Sequence, residues 1–245
     1  MEKQLWTGLD PDAQKELASR DYRVGAFAEE VATRGVDACK LAAADRKNDE
    51  VNKVWIPGVE VFARTIYPQR HRGFFGEFVR RDEGVLGQIG LWPRQWSAAR
   101  MFAQSAKGFH VHPPSIPEKT SAEEWLRRLF INEADNYRLR RYEDEQWDVM
   151  FFLQGRAEVI LCDIRAGLTK RIMRFFVDGD NHRNDNNVGI VIPPGVAHAI
   201  RSEGSEDLIM VYGTSTVFRP AFEGRIASEI ETAVLPESWQ RFLGL

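Results

Sequence analysis

From about residue 53 onward the chain repeats one texture: a short run of apolar, β-branched and aromatic residues, then a break at Gly, Pro, Asn or Asp. VWIPGVEVFARTIY, GEFVRR, VLGQIGLW, FFLQGRAEVILCDI, KRIMRFFV, VGIVIPP and DLIMVYGTSTVF all read this way. Many short strands separated by such breaks predict a β-sandwich or barrel. Two stretches interrupt the rhythm. PEKTSAEEWLRRLFINEADNYRLRRYEDE, from Pro117, begins with Thr120 or Ser121, then Glu123 or Glu124, then an apolar run. That is how a capped helix begins, and it predicts an inserted helical segment over about 115–145. DGDNHRNDNN, Asp178 to Asn187, reads as a polar loop.

Residues 1–52 have a different period. Val24, Phe27 and Val31, then Val36, Cys39 and Ala43, fall at helical spacing, with Leu41 off the second stripe. Asp10 before Pro11 suits a helix start. Two helices interrupted near Gly35 are expected, as an N-terminal extension. The tail, 223–245, reads as a helical or irregular clasp. The expected organisation is therefore an extension (1–52), a β domain (53–222) carrying the insert, and a tail.

Charge narrows the partners. Across 245 residues, 33 basic and 36 acidic side chains leave a net charge of −3. This balance gives no reason to expect nucleic acid or an acidic membrane as partner. Only Cys39 and Cys162 occur, so a disulfide framework is not expected. Neither a signal-peptide core nor a membrane-length apolar run is present in the sequence, which predicts a soluble, cytoplasmic protein.

Candidate chemistry starts at GFHVHPP. On a strand, His110 and His112 point to one face. Asp148 stands just ahead of the turn at Gly155, and PPGVAH carries Pro193, Gly195 and His198 as P-x-G-x-x-H, a turn that delivers a histidine. H-x-H, a carboxylate before a glycine turn and P-x-G-x-x-H resemble the two cupin motifs. The carboxylate is Asp rather than the usual Glu, and it comes far downstream of H-x-H. The resemblance implies a mainly β fold, the cupin double-stranded β-helix or jelly roll, here with the N-terminal helical extension and the inserted helical segment.

Five further segments, in order, resemble the dTDP-4-dehydrorhamnose 3,5-epimerases of the same superfamily. They are RHRGFFGEF from Arg70, KGFHVHPP from Lys107, GRAEVILCDIR from Gly155, IPPGVAHAI from Ile192 and YGTSTVFRP from Tyr212. This resemblance implies an isomerase acting on a nucleotide-linked 4-keto-6-deoxy sugar, without a cofactor. It implies His110 as the base that removes the proton beside the ketone and Tyr212 as the acid on the opposite face. An imidazole of ordinary pKa, about 6.5, suits the base. His198 falls near the sugar, Arg72 and Lys107 on diphosphate-holding positions, and Gln95 on a base-contacting glutamine. Glu77, His112 and Phe218 complete the implied substrate contacts. A homodimer is implied too, because that family shares sites across an exchanged strand.

The departures from the family pattern cluster. Asp148 stands where the family has a lysine that steadies the developing enolate, His112 replaces a glutamine, Phe218 replaces a tyrosine, and the C-terminal W-N-D-P is missing. His110, His112, Asp148 and His198 together match a cupin site for Fe, Mn, Zn or Ni. The sequence thus leaves three functions open: a sugar-nucleotide epimerase, a metal-dependent cupin oxygenase or isomerase on those four ligands, and a sugar-binding cupin without catalysis. His71 and His182 sit among charges and read as solvated. Trp92, Trp96, Trp125 and Trp147 read as core or interface aromatics.

Overall fold

Strand pairing divides the chain between two facing sheets. The structure is a computed structural model; it describes residues 36–45, 47–48, 51, 55–112, 146–163, 171–218 and 224–225. Most of the expected N-terminal extension, the inserted segment and all but two residues of the tail lie outside these described residues.

One sheet holds β1 (Val36–Asp37), β9 (Ile172–Asp178), β8 (Arg156–Asp163), β11 (Val196–Glu203), β6 (Ala106–Val111) and β13 (Gly224–Arg225), in that order. All its pairings are antiparallel except β1 with β9. The other holds β2 (Glu60–Ala63), β10 (Val188–Ile192), β7 (Asp148–Gln154), β12 (Leu208–Thr214) and β5 (Gln95–Met101), all antiparallel. Neighbours in space are far apart in sequence, the topology of a jelly roll. A separate hairpin pairs β3 (Ile66–Pro68) with β4 (Phe74–Gly76).

The core lies between the sheets. Val159 and Leu161 of β8, Phe175 and Val177 of β9, and Ile200 of β11 meet Met150 and Phe152 of β7, Ile190 of β10 and Met210 of β12. β7 is apolar on both faces because its outer residues, Val149 and Phe151, are also covered. Leu86, Val191 and the flanking Phe62, Phe78 and Trp147 pack there. This explains the unbroken VMFF run, which a strand with one wet face would interrupt.

The structure corrects three expectations and adds one strand. GEFVRR, expected as strand, is strand only at Gly76. VLGQIGLW, expected as strand, contains a helix, Gly84–Ile89. Its one buried side chain is Leu86, and Gly90 stops it in the left-handed region at φ 67°, with the Leu91 N–H donating to the Leu86 carbonyl at 2.9 Å. The stripe of Val36, Cys39 and Ala43 does not form one helical face. Val36 belongs to β1, and the helix Ala38–Ala42 buries Ala38 and Leu41 while Ala43 is exposed. QWSAARM, not recognised as a strand, forms all of β5. Its Ala, Ser and Arg are weak strand formers, and pairing with β12 overrides them.

The polar loop after β9 exposes Asn181 to Asp185 but buries Asp180, Asn186 and Asn187, and the two buried asparagines bond to the backbone. Asn187 Nδ2 donates to the carbonyls of Asp178 and Gly179, and Asn186 Oδ1 accepts from the Cys39 N–H at 3.0 Å. The loop thereby fixes the helix Ala38–Ala42 against the sheet. No helix among the described residues is long and apolar enough to cross a membrane.

Candidate active site

β6 carries the first part of the site, and its register is broken to do so. His110 lies opposite His198 of β11, but Lys107 lies opposite Ile200, so Gly108 and Phe109 together face Ala199. This is a β-bulge. Strict alternation would put Lys107 and His110 on opposite faces; the bulge turns both into the same cavity.

That cavity, of about 280 Å³, opens between the sheets. Lys107, His110, His112 and His198 line it from one side, and Gln95, Asp148, Met150, Met210, Tyr212 and Thr214 from the other. The rings of His110 and His198 are 5.9 Å apart, and those of His112 and His198 are 5.5 Å apart.

Asp148 is the electrostatic centre. It is 3 % exposed, and its Oδ2 lies 3.1 Å from His112 Nε2 and 3.6 Å from His198 Nε2. Gln146 Nε2 donates to its other oxygen at 3.0 Å, and Thr216 Oγ1 in turn donates to Gln146 Oε1 at 2.6 Å. Burial opposes ionisation of Asp148. The charge and hydrogen bond of His112, the nearby His198 and the Gln146 amide outweigh it and hold the carboxyl at about 2. Burial pushes His198 down to about 3, with Asp148 opposing and the other two histidines adding. At neutral pH a carboxylate therefore faces a neutral imidazole. His198 Nδ1 is 3.3 Å from the Val196 carbonyl oxygen, which can only accept, so the imidazole proton sits on Nδ1.

The structure gathers most of the candidate residues and leaves two out. His110, His112, Asp148, His198, Tyr212, Gln95, Lys107 and Phe218 all border the cavity. Phe218 is 53 % exposed at its rim, and its N–H donates to Gln95 Oε1 at 2.8 Å. Arg72 is exposed in a single turn of 3-10 helix at the tip of the β3–β4 hairpin, and Glu77 pairs with Arg80; neither lines this cavity. Of the four candidate metal ligands, three come together. Donor atoms of His112, Asp148 and His198 all lie within 4.8 Å of one another, while His110 stands outside that group. Sequence reading missed Gln146 and Thr214. Gln146 was detectable, since in Q-W-D it stands two residues before Asp148, the spacing that puts side chains of an extended segment on one face.

These sheets and this cavity define a cupin jelly roll. The chain shares that fold with a dTDP sugar isomerase from Desulfovibrio desulfuricans G20, at a TM-score of 0.50 and 14% sequence identity, over 69% of this chain and 84% of that one. NovW, a 4-keto-6-deoxy sugar epimerase from Streptomyces spheroides, superimposes at a TM-score of 0.49 with 16% identity, over 69% and 68% of the two chains. In sequence, the chain is 29% identical over 150 residues to the spore coat polysaccharide biosynthesis protein SpsL of Bacillus subtilis (strain 168), covering 61% of this chain and 74% of that one. No family model matches the chain.

Proposed function

We propose that the protein is an isomerase of the sugar-nucleotide epimerase type, acting on a nucleotide-linked 4-keto-6-deoxy sugar. The observation that carries this reading is that His110 and Tyr212 reach one cavity from two facing sheets. Inversion at a carbon beside a ketone needs a base on one face and an acid on the other. The C–H proton passes to the His110 imidazole, and its electron pair forms the enolate. Tyr212 then gives a proton to the opposite face, and both groups reset through solvent. The likeness to NovW and to the dTDP sugar isomerase agrees with this substrate class, and SpsL with a role in polysaccharide synthesis.

The cavity has room for a sugar ring, with Lys107 at its wall for an anionic group and Gln95 and Phe218 towards the mouth. The nucleotide then lies across the rim. Arg72 and Glu77 serve the site from a second copy of the chain. Their hairpin presents Tyr67, Phe74 and Phe75, each at least 40 % exposed, as a surface for a homodimer contact. Cys39 and Cys162 form no disulfide, in keeping with a reducing cytoplasm.

The test is solvent deuterium incorporation into dTDP-4-keto-6-deoxyglucose, followed by NMR. Label beside the ketone, lost in His110→Ala, is the expected result. Tight binding of dTDP with no label in the folded wild type would leave a sugar-binding protein in place of an enzyme.

A further inference from the structure

We propose that Lys107 is the catalytic residue that holds the enolate oxygen during proton transfer in this cavity. The inference rests on the epimerase reading and names the group that supports its central step. Removing a proton from a carbon beside a ketone builds negative charge on the carbonyl oxygen, and a base alone leaves that charge unmatched. Asp148 places a carboxylate in the same cavity, so the wall must supply a cation or a strong donor elsewhere.

Most polar groups of the lining are already engaged. Gln95 Nε2 donates to Ser97 Oγ at 3.2 Å, and its Oε1 accepts from the Phe218 N–H. Thr214 Oγ1 donates to the Thr216 carbonyl oxygen at 2.6 Å, and Gln146 Nε2 donates to Asp148. His112 Nε2 faces Asp148 Oδ2, and His198 keeps its proton on Nδ1 towards Val196. His110 receives the substrate proton and Tyr212 supplies one. That leaves Lys107. Among the described residues lining the cavity it is the only lysine or arginine, and it forms no ion pair with another described residue. The Asp148 carboxylate belongs to the facing sheet and is held there by His112 and Gln146.

Lys107 also stands where an ammonium acts strongly. The bulge at Gly108 and Phe109 turns it into the cavity on the same face as His110. Opposite it is Ile200, which is buried, and Met150 and Met210 line the same space. Beside apolar walls an ammonium is weakly screened, so its pull on an oxyanion exceeds that in water. In the reaction the C–H proton passes to His110, and the C–H electron pair forms the C=C bond of the enolate. The carbonyl π pair moves to oxygen, where Lys107 holds the charge. When Tyr212 delivers its proton to carbon, the oxygen pair re-forms the carbonyl. Lys107 stays protonated throughout. This role replaces the diphosphate contact that the family resemblance implied for it.

The experiment uses the full chain with Lys107→Met, Lys107→Arg and Lys107→Ala, each checked for folding by thermal melting. Calorimetry follows binding of dTDP, which has no ketone, and NMR follows deuterium entry into saturating dTDP-4-keto-6-deoxyglucose. Lys107→Met should slow label entry by about 10²–10³-fold and leave the dTDP affinity almost unchanged. Lys107→Arg keeps the charge and should retain more exchange than Lys107→Met. Ethylammonium added to Lys107→Ala should recover part of the lost exchange, a rescue that a merely structural lysine would not give. A large loss of dTDP affinity in Lys107→Met, with label entry at saturation unchanged, would overturn the proposal and return Lys107 to the diphosphate. Equal exchange and equal affinity in wild type and Lys107→Met would overturn it too, and leave the epimerase reading standing. Wild type that binds dTDP but takes up no label removes the epimerase reading itself, and this role with it.

Discussion

Gly108 packs so closely on Ala199 that a Cβ at Gly108 would lie 2.6 Å from the Ala199 Cβ and 2.7 Å from its Cα. Gly108 also has φ +136°, a conformation that residues with a side chain rarely adopt. This contact is the bulge that brings Lys107 and His110 onto one face. Gly108→Ala is therefore expected to cost about 1–3 kcal/mol in urea unfolding. It should also lower deuterium exchange more than an equally destabilising change in the distant core. Unchanged exchange would mean that the bulge does not position His110.

Tyr212→Phe separates the two proton transfers. The variant keeps His110 and the shape of the cavity, so label should still enter beside the ketone. The inverted product should fall by about 10²–10⁴-fold, the size of one acid–base contribution. Loss of label and product in parallel would indicate that Tyr212 serves binding instead.

Arg64 and Asp180 form a two-bond ion pair at 2.7 Å and 3.0 Å, with side-chain exposures of 1 % and 4 %. The guanidinium also lies 4.8 Å from the Phe78 ring centre and donates through Nε to the Glu77 carbonyl oxygen, which anchors the hairpin carrying Arg72. Asp180→Asn strands a buried charge and should cost about 3–5 kcal/mol by chemical denaturation. Replacing both partners with apolar residues should recover much of that loss. A loss below 1 kcal/mol in the single variant would contradict the buried pair.

Acid sensitivity should trace in part to Asp178. Burial would raise its pKa, but the amides of Asn184 and Asn186 and the Arg156 guanidinium outweigh burial and lower it. A depressed folded-state pKa contributes stability that is complete above the unfolded value, about 4, and is lost as pH falls towards the folded one. Melting temperatures measured from pH 5.5 down to 3 should therefore fall less steeply for Asp178→Asn than for wild type. Parallel curves would remove Asp178 from the acid limb.

Much of this protein was legible along the chain. The strand rhythm from residue 53, the H-x-H pair, Asp148 ahead of Gly155 and P-x-G-x-x-H are local patterns, and period-2 alternation with turn chemistry is encoded locally. They led to the jelly roll and to most of the residues around the cavity. Local pattern misled where a partner element decides the outcome. VLGQIGLW is apolar enough for a strand but forms a helix over the outer face of β7, and QWSAARM is a strand because β12 pairs with it.

The tertiary structure alone decided how the site residues combine. Spacing placed His110 and His112 side by side, yet only His112 joins Asp148 and His198, while His110 keeps its place across from His198. Lys107 enters the cavity because one residue is gained in β6 against β11; Gly108 permits the bulge, but its place opposite Ala199 is decided by the pairing of the two strands. The reach of Thr216 to Gln146 likewise depends on how the chain after β12 lies beside the start of β7. Side-chain period and turn residues are properties of a segment; register, burial and the distance between donors on different strands are properties of the packed sheets.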